Sequence, residues 1–127
     1  MRIVTDSTTF DSLQRHLLQE LVASIRDGLR EAGVDGATLY EATSNVAFAV
    51  AAIIDGSREM VLDERELVPV LTFAREREGG ELIASDTGGS WMHDYVQAVV
   101  DQQVSPDDDD GEFDESIDLG VDDDDVR

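Results

Sequence analysis

The sequence predicts a mainly α protein, a compact four-helix domain within residues 1–104 followed by a disordered acidic tail over residues 105–127. Three observations predict it. Thr8 with Asp11, Thr38 with Glu41 and Asp63 with Glu66 each set a capping residue three positions before a carboxylate, the spacing that satisfies free N–H groups at a helix start. Apolar residues then recur at three- and four-residue steps, and glycines close the runs. Only "RIVT" (2–5) and "ELIA" (81–84) look like strands, enough for a minor two-strand accessory.

The first helix is expected from about Thr9 to Ala32, on the stripe Phe10, Leu13, Leu17, Leu21, Ile25 and Leu29, with Gly33 as a left-handed cap. The second, Thr38 to Asp55, loses every polar face after Asn45 and is expected to be buried all round. The third, about Glu64 to Glu78, carries Leu67, Leu71 and Ala74 on one stripe, is interrupted by Pro69 and stops at Gly79-Gly80. The fourth, Ser90 to about Val104, repeats apolar pairs from Trp91 and Met92 through Tyr95 and Val96 to Val99 and Val100.

Charge narrows the functional classes. The 127 residues carry a formal charge of −21: residues 105–127 hold 12 acids and one Arg, net −11, and residues 1–104 hold 18 acids and eight Arg, net −10. Such a surface repels phosphate backbones and anionic lipid and attracts basic proteins and cations. Neither direct nucleic-acid binding nor membrane binding is expected. Every basic residue is Arg, a bias that a GC-rich genome or a salty cytoplasm also produces. There is no cysteine, hence no disulfide, thiolate metal site or cysteine nucleophile. No basic region with a long apolar run opens the sequence, and the longest apolar run, Val46 to Ile54, is about half of the ~20 residues a bilayer requires, so a cytoplasmic protein is expected.

The tail mixes its acids with Phe113, Ile117, Leu119 and Val121. Carboxylate repulsion and chain entropy favour disorder in isolation, whereas an acidic segment with regularly placed apolar residues suits docking to a groove on a basic protein. Trp91 and Tyr95 form a second candidate partner-binding face, set against the simpler reading of core packing. The expected function is accordingly non-enzymatic: an acidic binding or regulatory protein that engages a basic protein, in the manner of an inhibitor, an immunity protein or a nucleic-acid mimic. The oligomeric state is open, a homodimer included.

Two local patterns offer alternatives. "DGSREMVLDERE" (55–66) places oxygens from Asp55, Ser57, Glu59, Asp63 and Glu66 at positions one, three, five, nine and twelve of a twelve-residue loop. In this it resembles an EF-hand calcium loop, although Met60 stands where that loop has glycine. The resemblance implies a calcium-binding helix-loop-helix module; otherwise no cofactor is expected. Asp86-Thr87-Gly88 resembles the triplet of aspartic proteases, which implies a hydrolase only if a second carboxylate joins Asp86. His16 and His93 lack the Glu-x-x-His spacing of di-iron bundles.

Overall fold

The computed structural model describes residues 2–105. Strand β1 (Arg2–Thr5) leads into helices α1 (Ser7–Glu31) and α2 (Gly36–Ile54). Strands β2 (Met60–Leu62), β3 (Arg65–Leu67), β4 (Phe73–Ala74) and β5 (Glu81–Ala84) follow, then a 3₁₀ turn (Met92–Tyr95) and helix α3 (Val96–Gln103). The described residues thus form three α-helices and two small sheets, which corrects the four-helix, all-α bundle expected from the sequence.

The helix expected at 64–78 is the main departure. Leu62 pairs with Arg65 across a two-residue turn whose Asp63 and Glu64 take φ of 54° and 64°, the left-handed values that match the twist of a β-hairpin. Asp63 and Glu66, read as a capping pair, instead make the turn and the second strand. Pro69, with no N–H to donate, follows β3 and prevents helix from resuming. The two predicted strands do form, but β5 pairs in parallel with β1 (Ile3 opposite Leu82) and antiparallel with β4, so the sheet has three strands in the order β1-β5-β4.

The first helix starts two residues earlier than expected, at Ser7 rather than Thr9. Asp6, not Thr8, accepts from the Thr9 N–H at 3.2 Å and from the Thr9 hydroxyl at 2.8 Å. Its end follows the expectation: Gly33 has φ 96°, its N–H bonds Arg30 O and the Val34 N–H bonds Leu29 O, the paired bonds of a Schellman cap. The buried stripe is Phe10, Gln14, Leu18 and Val22, while Leu17, Leu21, Ile25 and Leu29 are only partly covered.

Helix α2 begins at Gly36 with Asp35 as cap residue, ahead of the expected Thr38. It buries Leu39, Thr43, Ala47 and Ala51, a four-residue repeat, against α1 and α3. It is not buried all round: Val46, Phe48 and Ile53 are exposed. By length and composition α2 is apolar enough to cross a membrane, although here one side of it packs in the core. That core joins Leu18 and Val22 of α1 and Leu39, Ala47 and Ala51 of α2 to Met92, Val96, Val99, Val100 and Val104.

Candidate functional site: the groove between α2 and α3

Asp55 ends α2 and organises the chain's return towards that helix. Its side chain is 0% exposed. Ser90 Oγ donates to Oδ1 at 2.6 Å, the His93 backbone N–H donates to Oδ2 at 2.7 Å, and His93 Nδ1 lies 2.5 Å from Oδ2. Burial works to raise the Asp55 pKa, but these bonds outweigh it and hold the carboxyl below its ordinary value. An ionised carboxylate can only accept, so Nδ1 carries a proton, and Nε2 lies 3.5 Å from Asp94 Oδ1. Phe48 meets the His93 ring edge-to-face at 6.0 Å.

A second hub fixes the other side of the 3₁₀ turn. Asp11 accepts from Tyr95 OH (2.8 Å), Gln14 Nε2 (3.0 Å) and Arg15 Nε (2.9 Å), and Trp91 Nε1 donates to Tyr95 OH at 2.9 Å. Arg15 lies 4.1 Å from the centre of the Tyr95 ring. The fully buried Gln14 accepts from the Trp91 N–H at 3.1 Å. The polar side-chain atoms of Trp91 and Tyr95 are thus bonded to each other and to α1, and Trp91 also packs against Phe10 at 6.0 Å.

Between these anchors, α2 and the 3₁₀–α3 segment enclose a groove. One lobe, about 320 Å³, is lined by Ser44, Asn45, Phe48, His93, Asp94, Val96 and Gln97. The adjoining lobe, about 420 Å³, shares Ser44, Asn45 and Gln97 and adds Ala37, Tyr40 and Glu41. Tyr40 OH donates to Asp101 Oδ1 at 2.6 Å, and Gln97 Nε2 lies 2.6 Å from Tyr40 OH and 2.9 Å from Asp101 Oδ1. The hydrogen bond to Asp101 raises the Tyr40 pKa, and the same bond lowers that of Asp101. Among the described residues two carboxylates, Glu41 and Asp94, line the groove and no arginine does. Ser44 Oγ, shielded from solvent, makes no hydrogen bond within the described residues.

The residues expected to act together lie in different surroundings. Asp55 is the buried hub, Ser57 and Glu59 are exposed beyond α2, and Asp63 and Glu66 belong to the hairpin. The chain at 55–66 therefore runs from a helix into a β-ribbon, which corrects the helix-loop-helix setting. Among the described residues no group of three or more His, Cys, Asp or Glu is placed to hold a metal ion. Asp86 sits in an exposed turn after β5, its N–H donating to Ser7 Oγ at 3.1 Å. His16 is exposed and 3.9 Å from Glu20. Phe113, Ile117, Leu119 and Val121 lie outside the described residues.

Sequence reading missed the link between Asp55 and His93. One local signal was present: a carboxylate at a helix C-terminus faces the negative end of the dipole, so Asp55 needed donors from elsewhere. Comparison with protein-family models, curated proteins and solved structures finds no match.

Proposed function

We propose that the protein is a non-enzymatic binding protein that engages a basic protein partner, with the α2–α3 groove taking an arginine-bearing segment of that partner. The observation that carries the reading is the lining of the groove. The Glu41 and Asp94 carboxylates, the Asn45 and Gln97 amides and the exposed Phe48 ring offer acceptors and an aromatic face, with no arginine among the described lining residues to oppose a cation. The net charge of −21 supplies long-range attraction, and the tail at 105–127 adds the larger density of it. A binding role is also supported by the bonding of Ser90: its hydroxyl donates to Asp55 rather than to His93, so it is not poised as a nucleophile beside a base.

The test is a titration of the full chain with a capped peptide of alternating arginine and leucine, beside a control with glutamine at each arginine. Side-chain amide resonances of Asn45 and Gln97 should move with the first peptide and not the second. Phe48→Ala should weaken binding by about 5- to 10-fold, and Glu41→Gln or Asp94→Asn by roughly 2- to 5-fold each. Equal binding of the two peptides, or arginine-dependent binding that leaves both amides unmoved, would overturn the reading.

A further inference from the structure

We infer that a second copy of this chain packs across the outer face of α2 and the β2–β3 hairpin, forming a symmetric dimer on a surface separate from the lobe between Phe48 and His93. Helix α2 has one charged residue in its 19, Glu41. Its buried stripe leaves Val46 and Ile53 turned outward, with the small Ala49 between them. Beyond its end, Val68 and Pro69 lie against Gly56, which sets the base of the hairpin arm beside the end of α2.

The hairpin itself demands a cover. Every residue of β2 and β3 is exposed, with Val61 at 60% and Leu62 at 62%, and Met60, Leu67, Val68 and Val70 extend the apolar run. A two-stranded ribbon with neither face packed is marginal in water. Met60, Leu62 and Leu67 share one face of the ribbon and Val61 stands on the other, so the ribbon offers a partner one apolar face at a time. A stable interface removes about 1,200–2,000 Å² in total, so that face must be met by its own copy across a two-fold axis together with the polar residues around it.

Charge selects the occupant. Two chains of −21 repel each other everywhere except where carboxylates are sparse, and the outer face of α2 is such a place. A basic partner is drawn to carboxylates, and the stretch of α2 from Val46 to Ile54 has none to offer it. The hairpin also carries both signs, Arg58 and Arg65 beside Glu59, Asp63, Glu64 and Glu66, so a copy related by a two-fold axis can set arginine against carboxylate.

The experiment is sedimentation equilibrium of the full chain at about 0.1 M and about 2 M NaCl, where the Debye length shrinks from ~10 Å to below ~3 Å. The expected result is a dimer that tightens with salt as charge repulsion is screened. Ile53→Glu and Leu62→Glu should each weaken it at least about 30-fold, because each puts a charge at the centre of a desolvated patch. Ala98→Glu, at an exposed position on α3, should leave it unchanged. Both test positions are solvent-exposed in the single chain, and Leu62→Gln, read by the same assay and by circular dichroism, separates loss of association from loss of fold. A monomer at both salt concentrations, a dimer indifferent to both glutamates, or a monomer that instead floats with phosphatidylcholine vesicles would overturn the inference.

Discussion

Asp55→Ala should be among the most damaging single substitutions in the described residues. The Asp55 carboxylate is fully enclosed and accepts from Ser90 Oγ, the His93 N–H and His93 Nδ1. Truncation strands three donors, each costing about 1–3 kcal/mol when left unsatisfied inside a protein. Ser90 Oγ can rotate and the His93 ring is partly reached by water, so the lower part of that range applies and the loss should be about 3–4 kcal/mol, a large share of the ~5–15 kcal/mol that holds a domain folded. Asp55→Asn keeps the shape and one acceptor but turns an amide N–H₂ towards His93, and should cost about 2 kcal/mol. Urea unfolding followed by Trp91 fluorescence measures both. The native carboxyl binds its proton less readily than the unfolded one, because its pKa is lowered on folding. Its stabilising contribution is therefore complete above the unfolded value of about 3.9 and disappears as pH falls through the lower, folded value. Wild type should lose stability on acidification below pH ~4 more steeply than Asp55→Asn, which has no carboxyl to titrate there. An Asp55→Ala cost under about 1 kcal/mol would refute the claim that this carboxylate ties α2 to the 3₁₀ turn.

Two further outcomes follow from local geometry. Glu64 occupies φ 64° in the hairpin turn, a conformation that costs a non-glycine residue about 1 kcal/mol, so Glu64→Gly should raise the midpoint of urea unfolding by an amount worth about 0.5–1 kcal/mol. Gln14→Ala should cost about 2–3 kcal/mol, since it opens a void on the buried face of α1 and leaves the Trp91 N–H without its acceptor; a shifted Trp91 emission maximum should accompany it.

The readability of each element depended on how local its cause is. The end of α1 is legible because Gly33 supplies the left-handed residue within four positions of the carbonyls it caps. Strands β1 and β5 are legible as short β-branched and apolar runs, but β4 has only two residues and exists because β5 offers it an edge. Residues 63–66 misled because aspartate and glutamate serve a helix N-terminus and a tight turn alike, and Glu64 lacks the Asn-Gly or Asp-Gly signature of such hairpins. Pro69 was the physical warning against helix there. The stripe on α1 was placed about one residue early because Gln14 is polar by type, yet it is buried by virtue of bonds to Asp11 and Trp91 that no spacing reveals. The groove was illegible for the same reason: Asn45 and Gln97 are 52 positions apart and share a wall only after the core has set α2 beside α3.

The apolar outer face of α2 and the acidic surface around it answer oppositely to salt, and that separates the two proposals in one protein. Capture of an arginine-bearing segment draws on Coulomb attraction between exposed groups, so added salt should weaken it in proportion to the charges engaged. Packing of Val46, Ile53 and the hairpin draws on removal of apolar surface from water and is opposed by like charge, so added salt should strengthen it. Raising NaCl on one sample that contains the arginine–leucine peptide should therefore release peptide while the protein mass rises from one chain towards two. Release of both together would assign the self-association to ion pairs such as Arg58 and Arg65 with Glu59 and Glu66, and would place the hairpin charges, rather than the apolar face of α2, at the centre of the contact.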